Sequence, residues 1–461
     1  MKSKMLKWFS LMLLTLILLV GCSSNNTDEN QSQEPPSQKE TDDNTAPASN
    51  SETDKLTEDD LLQNPEEPVT IRIFQQYAGL SDKDFTTLMK EPIEERFPNI
   101  TLELVRAGNN TMPEELILQG EFPDFIFTSS QNIADFRRLD LLYDHNEMFK
   151  KYNMSTDRYV PEAINDIQNY SENNELYAIP FSLNFGLLFY NKDIFDEVAV
   201  SHPKDFMTWE EIYDLANQIG NKSNGKYHSL IPTSITRMSI SWMLRKVDEQ
   251  TMRANFSTDD WKELYQLYRD IHLIPGNIEY GNEGNRFYKD LDTAMIVTYG
   301  GFLGYLEQAH REGQDSSFWD FTTFPQRKNG PEGLETEVRI LMLSPTSKNK
   351  DIAFQVMNYL TSKEVQTIVS RNAQRSALAE EEIKNLFGAD FESLKDKNVD
   401  AIFKQKYNVN PIPTIYDNAI KPPLFNAFKR TILEGEDVNT ALKRAEEEAN
   451  QIIDAMKQEQ Q

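Results

Sequence analysis

The sequence predicts an α/β fold, because strand-like and helix-like segments alternate along residues 69–127. Residues 69–74 alternate in the manner of a strand, and residues 100–105 and 124–127 are also rich in β-branched or aromatic side chains. Helices are predicted between them at residues 81–96 and 112–119. This order indicates a parallel sheet with right-handed crossovers. The length of 461 residues favours two or three domains.

Signals for helix starts and interruptions are readable at several positions. Ser81 is a suitable N-cap for the first helix, whereas Pro92 lacks a backbone N–H and should kink or split it. Residues 208–211 (Thr-Trp-Glu-Glu) form a capping box. Residues 438–456 carry one apolar stripe, which predicts a long amphipathic helix.

Further elements are predicted in the second half of the chain. The predicted strands are residues 177–181, 186–190, 294–299 and 338–343, and the predicted helices are 351–360 and 363–370.

Short polar segments stand directly after the first and third strands. Gln76 and Tyr77 follow the first, and Ser129 and Ser130 follow the third. Ligands bind beside the carboxyl ends of strands in such sheets, so these four residues are candidate ligand contacts. The alternative is that they only cap the helices that follow.

Residues 1–21 are predicted to be an export signal. Lys2, Lys4 and Lys7 precede an apolar stretch that is short for a membrane-spanning helix. The stretch ends in Leu-Val-Gly-Cys at residues 19–22, which resembles the lipobox of bacterial lipoproteins. That resemblance implies a lipid on the thiol of Cys22, with cleavage before it.

Residues 23–68 are predicted to be a disordered acidic tether, so that the lipidated cysteine and tether span 22–68. The segment holds 13 acidic, 2 basic and 5 apolar residues, too few apolar groups to offset the entropy of ordering. A folded acidic subdomain is the alternative.

Charge and missing motifs exclude several classes of function. The net charge of −27 argues against binding nucleic acid or anionic lipid headgroups. The single cysteine excludes an internal disulfide. The sequence lacks Gly-x-Ser-x-Gly, His-Glu-x-x-His and P-loop motifs, and its five histidines are widely spaced. We therefore expect no catalysis, no metal and no cofactor.

The chain from about residue 69 onward resembles the bacterial extracellular solute-binding proteins of the family-1 type. The matching segments are residues 123–124, 177–180, 188–195, 208–211, 294–301 and 344–348, in that order. The resemblance implies a periplasmic-binding-protein-like fold, with two α/β lobes joined by a hinge and a ligand cleft between them. Lobe one would comprise residues 69–180 plus 296–343, and lobe two 181–295 plus 344–461.

The resemblance also implies a sugar site, which needs aromatic plates and planar polar groups. The candidate contacts are Gln76, Tyr77, Ser129, Ser130, Asn184, Phe185, Trp242, Tyr299, Gly300 and Arg375. Core packing is the alternative for each aromatic side chain, above all Trp242, because residues 221–261 match no family signature. Residues 372–375 (Asn-Ala-Gln-Arg) stand where many relatives have Gly-x-x-Pro, so Arg375 is either a pocket residue or a surface charge.

The function implied is that of a lipid-anchored receptor that delivers a sugar or oligosaccharide to the permease subunits of an ABC transporter. It would be a monomer held by the lipid on Cys22 at the outer face of the cytoplasmic membrane, of a Gram-positive bacterium. The same fold could bind a peptide, a polyamine or another polar solute, or act as a sensor. A secreted polysaccharide hydrolase is a further alternative.

Overall fold

A computed structural model describes residues 64–277, 283–330 and 333–459. The predicted signal peptide, Cys22 and the tether up to residue 63 lie outside the described residues. Among the helices within those ranges, none is both long and apolar enough to cross a bilayer.

The strands, numbered in chain order, build two main sheets and two short pairings. They are β1 (Val69–Gln75), β2 (Ile100–Arg106), β3 (Phe125–Ser129), β4 (Ile179–Leu183), β5 (Gly186–Asn191), β6 (Val247–Asp248), β7 (Arg253–Ala254), β8 (Met295–Tyr299), β9 (Trp319–Thr323), β10 (Leu334–Glu335), β11 (Val338–Leu343), β12 (Arg375–Ser376) and β13 (Tyr407–Asn408).

Helices connect and cover the sheets. The α-helices are α1 (Asp82–Phe85), α2 (Glu91–Arg96), α3 (Pro113–Gln119), α4 (Ile133–Arg138), α5 (Asn146–Lys151), α6 (Pro161–Gln168), α7 (Lys192–Glu197), α8 (Trp209–Lys222), α9 (Ile235–Ser241), α10 (Asp259–His272), α11 (Glu283–Asn285), α12 (Phe302–Arg311), α13 (Lys350–Leu360), α14 (Lys363–Arg371), α15 (Glu381–Lys384), α16 (Asp400–Lys404), α17 (Lys421–Leu433) and α18 (Val438–Glu459). Short 3₁₀ segments occur at Ser130–Asn132, Thr156–Arg158 and Glu392–Leu394, and π segments at Thr86–Lys90 and Arg286–Asp290.

The first lobe is built on a six-stranded sheet in the order β12-β4-β11-β3-β1-β2. Strand β1 pairs in parallel with both β2 and β3, which confirms the predicted parallel unit. Strand β11 runs antiparallel to β3 and β4. Because the chain leaves β1 in opposite directions toward β2 and β3, the carboxyl ends of β1 and β3 border a crevice suited to a ligand.

The second lobe is built on a three-stranded antiparallel sheet in the order β8-β5-β9. Successive side chains of β5 enter two different cores, because strand side chains alternate between faces. Leu188 and Tyr190 pack with α8, α10, α17 and α18, whereas Leu187 and Phe189 pack with α12 and α16. Both faces of this sheet are therefore buried.

The structure distributes the chain between the lobes differently from the boundaries predicted above. Strands β8 and β9 pair with β5 in the second lobe, although the resemblance places residues 296–343 in lobe one. Helices α13 and α14 bury Phe354 and Val365 in the core of the first lobe, although it places 344–461 in lobe two. The chain crosses between the lobes more often than the sequence pattern indicates, because pairing partners are chosen by contacts distant in sequence.

The predicted interruption of the first long helix is present, as a π turn. Ser81 caps α1 by accepting a 3.0 Å hydrogen bond from the backbone N–H of Asp84. The N–H of Glu91 then bonds to the carbonyl of Thr86, a five-residue spacing. Pro92 lies in the first turn of α2, where a missing N–H is tolerated.

Candidate functional site: the cleft between the lobes

A cavity of about 600 Å³ lies between the two lobes. Volumes in this range accommodate small-molecule ligands. Its first-lobe wall comprises Gln75, Gly79, Leu80, Ser81, Lys83, Asp84, Thr87, Arg106, Leu183 and Arg339, with Asn372, Ala373 and Gln374 after α14. From Asn184, at the crossing between the lobes, the wall continues into the second lobe with Phe185, Gly300, Gly301, Gly304, Tyr305, Gln308 and Phe391.

The second-lobe wall depends on the close approach of one aromatic ring to a glycine. A Cβ atom on Gly300 would lie 2.4 Å from the ring of Phe185, closer than packed atoms allow. The neighbouring Gly301 has open space where its Cβ would be. Tyr305 lies one turn into α12, where its ring stacks on that of Tyr288 with 6.4 Å between centroids, and it is 62% exposed, so part of the ring is accessible to a ligand.

The first-lobe wall presents two arginines held by planar or acidic neighbours. Arg106 donates to Asp82 at 2.6 Å and to the side chain of Gln75 at 3.0 Å. Arg339 stands near the start of β11 and donates to Oε1 of Gln374 at 2.6 Å. Guanidinium and amide groups of this kind can pair with adjacent hydroxyls of a sugar ring.

A buried polar network adjoins the cavity at Asn184, which belongs to both. Asn184 Nδ2 donates to Glu337 at 2.9 Å, and Arg237 from α9 forms an ion pair with the same carboxylate. The guanidinium of Arg237 also lies 4.7 Å from the ring centroid of Tyr299, whose hydroxyl donates to Glu335. These contacts join the second lobe to the segment that leads into β11.

The two glutamates of this network have opposite pKa shifts. Burial raises the pKa of Glu335 to about 7, although the hydrogen bond from Tyr299 and the charge of Arg237 oppose this effect. Burial also disfavours the ionised form of Glu337, but the charge and hydrogen bond of Arg237 outweigh it and lower the pKa below its usual value. Glu337 is therefore the charged partner of Arg237.

A second, smaller cavity of about 260 Å³ also touches both lobes. Gln76, Tyr77 and Asp135 contribute to it from the first lobe, and Asn418 from the second. Tyr77 adopts a left-handed backbone conformation with φ of 66°, which is uncommon for a bulky residue. Burial, together with the nearby carboxylates of Asp135 and Glu114, raises the pKa of Tyr77 to about 12.

Residues 82–367 match the family of bacterial extracellular solute-binding proteins, and this match spans more than half of the chain. The chain belongs to this family. The resemblance noted in the sequence is thereby confirmed.

Similar proteins agree with this family and with its fold. A multiple sugar-binding protein of Streptococcus mutans is 28% identical over 336 residues, which are 65% of this chain and 73% of the relative. An ABC substrate-binding protein of Listeria monocytogenes, solved in complex with cycloalternan, superposes with a TM-score of 0.69 at 16% identity, covering 84% of this chain and 99% of its own. A solute-binding protein of Thermotoga lettingae with bound α-D-tagatose reaches 0.64 at 20% identity, covering 84% and 100%. The two solved structures confirm the fold.

Some of the predicted contacts of this solute-binding protein line or adjoin the two cavities, and the others lie elsewhere. Asn184, Phe185 and Gly300 line the 600 Å³ cavity, and Tyr299 lies in the adjoining network. Gln76 and Tyr77 line the smaller cavity.

The two serines after β3 are buried. Ser130 Oγ accepts a 3.3 Å hydrogen bond from the N–H of Val338. Within the described part of the chain, the hydroxyl of Ser129 has no hydrogen-bond partner.

Trp242 and Arg375 do not line the larger cavity. Trp242 is 2% exposed in the core of the second lobe, where the guanidinium of Arg327 lies 4.7 Å from its ring centroid. Arg375 forms a 2.7 Å ion pair with Glu162 and lies 4.3 Å from the ring centroid of Tyr407. Within the described residues, Nε1 of Trp242 and one terminal nitrogen of Arg375 are buried without a hydrogen-bond partner.

Sequence reasoning missed the charged residues of the cleft. Arg339 interrupts an otherwise apolar buried strand, and this signal could have been recognised. Glu335 and Glu337 directly precede that strand. Arg237 lies in the stretch with no family signature. Arg106 is the last residue of β2, which is an edge strand. Neither position had a local sequence pattern that marked it as a cleft residue.

Proposed function

We propose that this protein captures a sugar or oligosaccharide in the cleft between its lobes and delivers it to the permease of an ABC transporter. The observation that carries the proposal is the 600 Å³ cavity with planar polar side chains on both walls, Gln75 and Arg339 on one side and Gln308 on the other. Such groups pair with the adjacent hydroxyls of a sugar, and the exposed part of the Tyr305 ring offers an apolar surface.

Similar proteins support carbohydrate as the class of solute. The Streptococcus mutans relative is named for binding multiple sugars, and the two solved structures hold cycloalternan and tagatose. Peptides, polyamines or other polar solutes are the second candidate class, because the same fold can hold them and the protein is acidic. A role in sensing would use the same site.

We also propose that the mature chain is a monomer anchored by a lipid on Cys22, at the outer face of the membrane of a Gram-positive bacterium. The lipobox-like residues 19–22 and the acidic segment that follows support this arrangement. Metabolic labelling with a fatty-acid analogue, with and without Cys22→Ser, tests it. We expect the label to be lost in the variant.

Calorimetric titration of the purified protein with mono- and oligosaccharides, polyamines and peptides tests the solute class. We expect at least one saccharide to bind without being consumed. In a thermal-unfolding experiment, that saccharide at 100 times its dissociation constant should add about 2.7 kcal/mol to the free energy of unfolding. Tyr305→Ala and Asn184→Ala should weaken binding by about tenfold each. Leu433→Ala, at a residue 66% exposed on α17, is the control and should not.

Other outcomes would change the proposal. Binding by a polyamine or peptide alone would overturn carbohydrate as the solute. Appearance of hydrolysis products would indicate an enzyme. Loss of uptake on deletion of the gene separates an import receptor from a sensor.

A further inference from the structure

The charged side chains that line the 600 Å³ cavity are mostly basic, whereas the chain as a whole is acidic. The sequence contains 74 Asp+Glu and 47 Lys+Arg. The cavity wall nevertheless presents Lys83, Arg106 and Arg339 against the single acid Asp84. The cleft therefore carries a locally cationic surface, although the protein as a whole is acidic.

None of the acids nearest to this wall forms an ion pair with Arg339 within the described residues. Asp82 binds Arg106 at 2.6 Å, and Asp84 accepts a 2.8 Å hydrogen bond from Ser81. Glu337 is the ion-pair partner of Arg237 and also accepts from Asn184.

Arg339 has no ion-pair partner among these acids within the described residues, although the charges of Glu337 and Asp84 act on it from a greater distance. Its one hydrogen bond within residues 64–277, 283–330 and 333–459 goes to the neutral Gln374, and no carboxylate in those ranges forms an ion pair with it. Burial lowers the pKa of Arg339, and the more distant Glu337 and Asp84 offset this only in part. Arg339 is half-buried, and a guanidinium at a cavity wall with N–H donors to spare is stabilised by an anion that binds it with two parallel hydrogen bonds.

We propose that the cavity selects an anionic saccharide, with Arg339 binding the carboxylate or sulfate group of the sugar and Gln374 orienting the guanidinium. This inference rests on the proposed function and narrows its substrate class. A neutral sugar would leave the charge of Arg339 without an ion-pair partner in the cleft. A uronic acid residue supplies a planar carboxylate that matches the guanidinium in geometry and charge.

Calorimetry on matched ligands tests the proposal with the wild-type protein. The ligands are di- and trisaccharides of galacturonic, glucuronic and mannuronic acid, each beside its neutral hexose counterpart, and a sulfated galactose disaccharide beside the unsulfated one. We expect at least one acidic ligand to bind about tenfold or more tightly than its counterpart, as for a hydrogen bond to a charged group. Its affinity should also fall with added NaCl, whereas neutral ligands should show little change. Comparison of the uronic acid ligands with the sulfated disaccharide shows whether the cavity prefers a carboxylate or a sulfate.

Variants assign the effect to Arg339. Arg339→Gln should reduce affinity for the acidic ligand by about tenfold and leave the neutral counterpart within about twofold, and Arg339→Lys should retain part of the difference. Arg444→Gln, at an exposed arginine of α18 paired with Glu436, is the matched control and should change neither. If Arg339→Gln does not fold, the wild-type ligand pairs and their salt dependence decide the question.

Several results would overturn the proposal. Neutral saccharides that bind as tightly as acidic ones, or tighter, would contradict it and leave the proposed sugar-binding function intact. Binding by peptides or polyamines alone would contradict both the anionic-saccharide proposal and the proposed sugar-binding function.

Discussion

At the scale of single residues, two features shape the larger cavity and its surroundings. One is the missing side chain of Gly300, and the other is the buried charge of Glu337. The ring of Phe185 occupies the space that a side chain at Gly300 would need. In the adjoining network, burial raises the pKa of Glu335, whereas Arg237 keeps the pKa of Glu337 below its usual value. Both features lie next to the proposed ligand, so changes in them should alter binding as well as stability.

Gly300→Ala should destabilise the second lobe by about 1–3 kcal/mol, because the added methyl group forces the ring of Phe185 to move. The same displacement changes the cavity wall, so ligand affinity should fall as well. Gly301→Ala is the matched control, since nothing lies within 4 Å of the point where its Cβ atom would stand. Urea unfolding and calorimetry on both variants measure the effect. Equal stability of the two would contradict the close approach.

The protonation of Glu335 should make stability depend on pH between about 4.5 and 7. The folded-state pKa lies above the unfolded value, so the folded protein holds a proton that the unfolded chain has released. The contribution of this group is therefore present at low pH and lost as pH rises through 7. Glu335→Gln should be relatively more stable than the wild type above pH 7, with the difference shrinking toward pH 4.5. A difference independent of pH would contradict this assignment.

That comparison isolates Glu335 from other titrating groups. Burial raises the pKa of Asp166 to about 7, so the contribution of Asp166 to stability is also lost as pH rises. Burial lowers the pKa of His145 to about 3, so its contribution is lost as pH falls below its unfolded value. Both groups are present in the variant and in the wild type, so their contributions cancel in the difference.

At the scale of elements, local signals decide where helices begin. Helix α8 starts at a reciprocal capping box, in which Thr208 N–H donates to Glu211 at 2.7 Å and Glu211 N–H donates to Thr208 Oγ1 at 3.3 Å. Its buried face, with Trp209, Ile212 and Ala216, then packs into the second lobe. The cap and the apolar stripe specify the same helix.

Thr208→Ala should cost about 1 kcal/mol of stability, because it leaves an N–H at the start of α8 without its partner. Ser223→Ala at the other end of the helix is the control. It removes only a weak 3.4 Å hydrogen bond to Gly220 and should change stability by less than about 0.5 kcal/mol. Thermal unfolding followed by circular dichroism compares the two. A larger loss in the Ser223 variant would contradict the role of the cap.

At the scale of the whole molecule, the lobes are joined by polar contacts as well as by the chain. The ion pair between Arg237 of α9 and Glu337 before β11 links the second lobe to the first-lobe sheet. Because Asn184 at the crossing between the lobes donates to the same carboxylate, the pair favours the arrangement of the lobes seen in the structure. Ligand contacts made on both walls would favour it in the same way.

Glu337→Gln should destabilise the folded protein by about 2 kcal/mol, less than for a fully buried pair because the side chain of Arg237 is 34% exposed. The ligand-free variant should also have a larger radius of gyration in solution scattering, since the lobes lose a contact. Lys150→Gln is the control, because its pair with Glu147 is 74% and 79% exposed and should have little effect on stability. An unchanged scattering profile in Glu337→Gln would contradict a role for this pair in closure.

The sequence by itself determined the elements whose signals are local. The alternation in β1, the interruption at Pro92, the cap at Thr208 and the stripe of α18 each depend on neighbours within a few residues, and each is present in the structure. The parallel order of β1, β2 and β3 followed from the same signals, because a helix between two strands favours a parallel crossover. The family resemblance depended on the order of such segments.

Only the tertiary structure decided which residues meet in the cleft. Arg339, Gln374 and Asn184 come from segments far apart in sequence, and so do Arg237 and Glu337. Trp242 has the composition of a sugar-stacking residue, but its packing beneath Arg327 is a property of the second-lobe core. The same long-range pairing assigned β8 and β9 to the second lobe and α13 and α14 to the first. Such contacts are determined by the joint burial of distant apolar faces and the pairing of distant charges, and no local pattern encodes either.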